Sequence, residues 1–197
     1  MKILALTDLH GQRSILVKLD KHLDKNDYNS VIMLGDLCNR HDVNALQYAR
    51  DFIDIIKKHR LSLFAIHGNQ EPDVVRLLYQ QENISVHFNP KPILTSDVRK
   101  TVEVVGVGYG DIFPTDPDFA KGKILLTHEP PRAKTILQMK ELKNIPNAPL
   151  IHFSGHLHSM AIIHKLANTI LVQVPSAMSN RAAVLQLPQF KVKFISF

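Results

Sequence analysis

Short apolar runs alternate with helical patterns through the first half of the chain, and small polar clusters punctuate the ends of the runs. Residues 2–7 read as a buried strand, after which Ile15, Leu16, Leu19 and Leu23 recur at the spacing of one helix face. A strand follows at 31–34, then a helix over 42–59 carrying Ala45, Leu46, Ala49, Phe52, Ile53 and Ile56, then a third strand at 61–66. Pro72 suits the first position of a further helix, with Val75, Leu78 and Tyr79 as its buried face. Strands and helices alternating in this way predict right-handed crossovers and a parallel sheet.

The second half is richer in strands. Residues 84–88, 93–94, 101–107 and 123–127 read as short strands, and a helix is expected over 134–143, ahead of the turn-rich stretch 144–149. Strands are then expected at 150–154, 160–166, 169–174, 183–187 and 190–197, with Asn168 and Pro188-Gln189 marking hairpin turns. No repeat, low-complexity tract or linker divides the chain, so one domain over 1–197 is expected. Two sheets packed face to face with helices outside use both halves. The fold class is therefore α/β, a four-layer α/β/β/α sandwich of two mixed sheets flanked by helices.

Five polar clusters interrupt this pattern: Asp8-Leu9-His10, Gly35-Asp36, Gly68-Asn69, Thr127-His128 and Gly155-His156-Leu157-His158. Each follows an apolar run, which puts it at the C-terminal end of a strand, the edge where open α/β sheets bind ligands. Together they supply two carboxylates, one amide and four imidazoles. The spacing of Asp8 with His10, and of His156 with His158, points each pair to one side of the chain. Oxygen and imidazole donors without thiolates suit manganese first, with nickel, cobalt, iron or zinc as alternatives. Seven groups exceed what one tetrahedral ion takes, so two divalent ions bridged by a carboxylate are the natural reading. The formal charge of such a centre stays positive and would attract a phosphate.

Composition agrees and narrows the rest. The chain has 197 residues, enough for one well-cored domain, with 45% hydrophobic and 21% charged residues, which argues against disorder. A single cysteine, Cys38, excludes a disulfide framework and a thiolate-rich zinc module, and fits a reducing compartment. There are 11 histidines against 18 acidic residues, a surplus that metal binding would explain. The net charge of +6 is compatible with phosphate-bearing partners, but Lys18, Lys21, Lys25, Lys57, Lys58 and Arg60 read as solvated helix faces and ends. The apolar stretch 3–6 is too short for a signal peptide, and the longest stretch free of acids, lysine and arginine, 144–164, contains prolines and histidines. No membrane association and a cytoplasmic location are expected.

The ordered set Asp8-Leu9-His10, Gly35-Asp36, Gly68-Asn69, His128 and Gly155-His156-Leu157-His158 resembles the calcineurin-like metallophosphoesterase superfamily across roughly residues 8–158. The resemblance implies a two-metal site. It places Asp8, His10 and His158 on one ion, Asn69, His128 and His156 on the other, and Asp36 as the bridge, with a bridging hydroxide attacking phosphorus in line with the leaving group. The chain departs from the pattern at one position: where the family usually has histidine after Gly-Asn, it has Gln70, followed by Glu71. The missing histidine would contact the phosphate and help protonate the leaving group. Gln70 can donate a hydrogen bond, but an amide cannot act as a general acid. Some family members lacking that histidine resemble phosphodiesterases more than monoesterases, so the substrate expected is a small phosphodiester. A broad-specificity phosphatase and a nuclease are the alternatives, and nucleic acid is not favoured, because aromatic residues are only 7% with no tryptophan for base stacking. A non-catalytic scaffold is the reading from another class, since some members resemble endosomal coat subunits. A homo-oligomer stays open.

Other residues carry two readings each. Arg40 either clamps a phosphate oxygen or forms a local salt bridge. Tyr109 and Asp111, after Gly106 and Gly108, with the loop 113–119, either border a substrate or form a structural turn. Glu129 either orients a ligand or is an exposed loop acid. His67 would replace the missing acid only through an altered turn. His41 reads as a surface residue or helix cap, Cys38 as a semi-buried loop residue, and His22, His59, His87, His152 and His164 as surface or hydrogen-bonded core histidines.

Overall fold

The computed structural model describes residues 1–93, 101–116, 118–130, 149–166 and 168–197. Its first half runs β1 (Lys2–Leu6), α1 (Arg13–Lys25), β2 (Ser30–Met33), α2 (Ala45–Lys58), β3 (Ser62–Ala65) and α3 (Asp73–Gln81). The second half adds β4 (Lys91–Ile93), β5 (Val102–Val107), β6 (Ile124–Thr127), β7 (Ile151–Ser154), β8 (Ile162–Leu166), β9 (Thr169–Gln173), β10 (Arg181–Gln186) and β11 (Lys191–Ser196). They form two mixed sheets, one of five strands in the order β11-β10-β1-β2-β3 and one of six in the order β4-β5-β6-β7-β9-β8. β1, β2 and β3 are parallel neighbours, and so are β5, β6, β7 and β9.

Strand periodicity explains why the runs are almost wholly apolar. In β1, Leu4 and Leu6 pack under the helices while Ile3 and Ala5 face the second sheet. Val31 and Met33 against Ile32, and Leu63 and Ala65 against Phe64, repeat the division in β2 and β3. A strand buried on both faces has no polar side to alternate with. The helices cover one face through Leu16, Leu19 and Leu23 of α1, Phe52 and Ile56 of α2, and Val75 and Tyr79 of α3. On the other face Phe153, Leu126 and Val104 interdigitate with Ile3, Ile32 and Phe64 between the sheets. Helix, sheet and sheet are thus three of the expected layers; the helix expected over 134–143 lies outside the described residues. No helix among them is long and apolar enough to cross a membrane.

Two expectations shift. α2 starts at Ala45 rather than 42, because the Asp42 carboxylate accepts a bond from the Asn44 amide at 2.8 Å and holds that stretch in a turn. The stretch 84–88 is not a ladder strand but a staple between the sheets. Val86 donates its amide to the Ala65 carbonyl at 3.0 Å, and its own carbonyl accepts from Gly106 at 2.9 Å. The helix layer depends on its largest contacts, so Phe52→Ala is expected to lower the unfolding free energy by about 3–5 kcal/mol, read from urea denaturation.

Candidate functional site

The polar clusters all lie where the parallel strands end. Asp8 and His10 follow β1, Asp36 follows β2, Asn69 lies four residues past β3, His128 follows β6, and His156 and His158 follow β7. Backbone bonds between the loops fix their relative positions. The amides of Leu9 and His10 both donate to the Asp36 carbonyl at 3.0 Å, and Gly155 donates to the His128 carbonyl at 2.9 Å. Asp8, His10, Asp36 and His156 all adopt left-handed backbone angles, with φ between 50° and 68°. Such strain in non-glycine residues persists where surrounding bonds over-determine it. Gly68 is required for a different reason: a Cβ there would land on the Asp36 carboxylate.

One oxygen of each aspartate is held by the protein. Asp8 Oδ2 accepts from Thr7 Oγ1 at 2.7 Å and from the His156 amide at 3.0 Å, and Asp36 Oδ1 accepts from the Gln70 amide at 2.7 Å. The other oxygens face imidazoles. Asp8 Oδ1 lies 3.3 Å from His158 Nε2 and 3.7 Å from His10 Nε2, and those two nitrogens are 3.3 Å apart. On the opposite side Asn69 Oδ1, His128 Nε2 and His156 Nδ1 lie 2.9–3.2 Å from one another. Asp36 Oδ2 stands between the groups, 3.9 Å from His10 Nε2 and 3.4 Å from His128 Nε2.

The tautomers suit cation binding. His128 Nδ1 donates to the Leu34 carbonyl at 2.8 Å, and His10 Nδ1 donates to Asn39 Oδ1 at 2.8 Å, so each ring turns its Nε2 lone pair inward. Asp8 Oδ1 is buried without a hydrogen-bond partner among the described residues. Lone pairs crowded this closely repel unless a proton or a cation sits among them. Both triangles have edges of the size imposed by a divalent ion with bonds of about 2.0–2.2 Å. The donor set therefore fits divalent cations.

The electrostatics of the buried groups agree with that fit. Burial pushes the Asp8 carboxyl up, but its pairing with His10, the Thr7 bond and the fields of His128 and His158 outweigh it and leave it below the usual range. Burial lowers His128, but its pairing with Asp36, the field of Asp8 and the Leu34 carbonyl raise it overall; Asp8, Asn39 and Asp36 likewise raise His10 against its burial. Glu71 is fully buried behind the site. Burial first, then the Asp36 charge, pushes its carboxyl up to about 7 against the bonds it accepts from the Leu37, Cys38 and Gly68 amides.

Around this centre, Arg40 makes no salt bridge among the described residues; its Nη2 donates to the Asn69 carbonyl at 3.0 Å and anchors the loop that carries Asn69. Gln70 is half-buried at the lip of the site. The Tyr109 ring lies 6.1 Å from that of His128, and Tyr109, Asp111, Phe113, His128, Glu129 and His152 help line a cavity of about 260 Å³. Cys38 is fully buried, its Sγ against the Ala45 carbonyl, rather than semi-buried. His41 and His164 are exposed, while His22 bonds Tyr28, His59 bonds Asp20 and His152 bonds Thr127. His87 does have partners: it joins His67 and Asp111. The sequence pattern alone did not single out Asn39 or Glu71 as parts of the site. Glu71 follows directly on the Gly68-Asn69-Gln70 run and so carried a signal, whereas Asn39 carried none.

A family model described as calcineurin-like phosphoesterase matches residues 1–160. No curated protein matches the chain. Among solved structures, TT1561 of Thermus thermophilus superposes with a TM-score of 0.74 at 16% identity, covering 99% of this chain and 98% of that one. An archaeal phosphodiesterase matches with a TM-score of 0.61 at 12% identity over 100% of both chains. Vps29 of Entamoeba histolytica, complexed with zinc, matches with a TM-score of 0.55 at 12% identity over 98% of this chain and 90% of that one. At these identities the likeness is one of fold.

The buried groups give the ion-free protein a definite pH dependence. Between 4.5, where the unfolded Glu71 ionises, and about 7, the folded state keeps a proton that the unfolded chain has lost, so the Glu71 contribution to stability falls as pH rises through this window. His10 and His128, raised above 6.5, act with the same sign at higher pH, since their stabilisation is lost as pH rises through the folded values. Burial pushes His67 and His152 down to about 4, so their contributions rise with pH up to 6.5 and oppose that of Glu71; the urea midpoint of chelator-treated protein is therefore expected to fall only above about pH 6.5. Glu71→Gln should make the midpoint rise more steeply with pH between about 5 and 7; an unchanged profile would show that Glu71 does not hold the proton.

Proposed function

The chain belongs to the calcineurin-like phosphoesterase family, and from that premise we propose that this metal-dependent phosphoesterase is a phosphodiesterase of small diesters with a dinuclear centre. The observation that carries the reading is position 70. All seven donors converge, yet the residue after Asn69 is an amide that offers no proton near neutral pH.

In this reading Asp8, His10 and His158 would hold one ion, Asn69, His128 and His156 would hold the other, and Asp36 would be shared by the two. Manganese fits the mixture of imidazole and oxygen donors without thiolate, and nickel, cobalt, iron and zinc are accommodated by the same set. The chemistry that two such ions would supply when bound is Lewis acidity, towards the phosphoryl oxygens and towards the water that attacks phosphorus. The protein's own part is positioning. Asn39 and Leu34 set the tautomers of His10 and His128. Arg40, tied to the Asn69 carbonyl through one nitrogen, keeps further guanidinium donors at the rim for a phosphate oxygen. Gln70 offers a hydrogen bond at the same lip. The cavity beside Tyr109 and His128 suits the leaving group.

The archaeal phosphodiesterase among the structural neighbours supports the reading at the level of fold. A scaffold would need none of the seven donors, and their convergence favours the enzyme. The test is hydrolysis of bis(p-nitrophenyl) phosphate and p-nitrophenyl phosphate with Mn, Ni, Co and Mg. Diester turnover with Mn is expected, and Asp36→Asn should lower it by more than about a hundredfold. No turnover of either ester with any metal would refute the assignment.

A second experiment isolates position 70. Gln70→His should raise monoester turnover relative to diester turnover, toward the roughly 10²-fold that a positioned general acid contributes. Alkyl monoesters, whose leaving groups need the proton, should gain more than aryl ones. An unchanged ratio would mean that position 70 is not where the leaving group is protonated.

A further inference from the structure

Three other donor side chains meet outside the seven. His67 lies just past β3, His87 on the staple between the sheets, and Asp111 on the turn after β5. His67 Nε2 is 3.1 Å and His87 Nδ1 is 3.4 Å from the same oxygen, Asp111 Oδ2. The two rings stack with centroids 5.1 Å apart and planes 24° from parallel. His67 Nε2 is buried and makes no hydrogen bond among the described residues, although Asp111 Oδ2 is within reach. The ring nitrogen therefore aims beside the oxygen rather than at it, as donors do when they converge on a common point.

The backbone is shaped to this cluster. A Cβ on Gly108 would collide with the His67 ring, so only glycine lets the ring lie there. Tyr109 donates its amide to the His67 carbonyl at 3.1 Å, and Asp111 donates back to Gly108 at 3.3 Å, which folds the turn over the ring. The contrast with Asp20, Asp24 and His59 is instructive. There Lys58 already sits 2.8 Å from both Asp20 oxygens, and the group is an ion pair. Asp111 has only the two imidazoles as ion-pair partners among the described residues.

We propose that His67 Nε2, His87 Nδ1 and Asp111 Oδ2 form a separate mononuclear site for zinc or a comparable borderline divalent cation, completed by water. Two imidazoles and a carboxylate with one open position are a recurrent zinc donor set, and bonds of about 2.0–2.2 Å in tetrahedral array space the donors by about 3.3 Å. The ion ties together the end of β3, the staple and the turn that carries Tyr109, and so fixes one wall of the cavity beside His128. Arg76 is the cation whose field reaches both rings; its Nη1 lies 3.9 Å from Asp73. Its charge opposes the ion and so lowers the affinity.

The test measures zinc bound per chain after equilibrium dialysis of the full-length protein. Asp111→Asn and His87→Gln should each remove one equivalent while leaving the circular dichroism spectrum unchanged; Asp111 is on a partly exposed turn, so its replacement should leave folding intact. In an Asp8→Asn, His128→Gln background one equivalent should remain, and adding Asp111→Asn should abolish it. Cobalt should report the same site by its visible absorption, and Arg76→Gln should tighten zinc binding there. The proposal is overturned if Asp111→Asn and His87→Gln leave the stoichiometry unchanged, or if Arg76→Gln fails to tighten binding. Because the readout is the equivalent lost with Asp111, failure here and failure of the dinuclear reading are distinguishable.

Discussion

Two buried carboxylates govern this molecule. Asp8 and Asp36 are almost wholly removed from water, and among the described residues no lysine or arginine pairs with either. A carboxylate in that position costs several kcal/mol unless charge or hydrogen bonds compensate it. The protein compensates half of each. One oxygen accepts backbone N–H bonds, from His156 for Asp8 and from Gln70 for Asp36, while the other is turned toward imidazole nitrogens. What remains is a demand for positive charge that protons meet in the ion-free protein, as the raised His10 and His128 show. Divalent ions meet it with more charge and with geometry.

That demand explains why the site straddles two sheets. The first sheet provides both carboxylates on adjacent parallel strands, whose loops are locked together by the Asp36 carbonyl. The second provides His128, His156 and His158, again from adjacent parallel strands. The distance between these halves is set by the apolar layer of Ile3, Ile32, Phe64, Leu126 and Phe153, and the staple through Val86 closes one edge. Packing between the sheets and donor spacing in the site are thus one variable.

Much of this was legible along the chain, for a physical reason. Strands buried on both faces leave unbroken apolar runs, and ligand residues at their ends stand out against them. Asp8, Asp36, His128 and His156 were visible for that reason. Contacts made by long-range packing left no such trace. Nothing local marks Asn39 as the partner of His10, Arg40 as the anchor of the Asn69 carbonyl, or His87 as a neighbour of His67 and Asp111. The stretch 84–88 has strand-like letters, yet it gives one bridge to each sheet instead of a ladder to either. Its apolar positions serve two cores, and periodicity cannot say which.

Position 70 shows how such a site can change its chemistry without losing its frame. The duty that residue performs for the centre is a main-chain one: its amide donates to Asp36 Oδ1 at 2.7 Å and leaves Oδ2 free between the two groups of imidazoles. Any residue but proline supplies that bond. The side chain is therefore free to vary while donor geometry stays fixed, and an exchange of imidazole for amide removes a proton donor and little else. In our reading the burden then passes to the substrate, whose leaving group must depart with less help. On that proposal, selectivity among phosphoesters would be separated from the machinery that binds the phosphate and would reside in a side chain at the lip rather than in the centre itself.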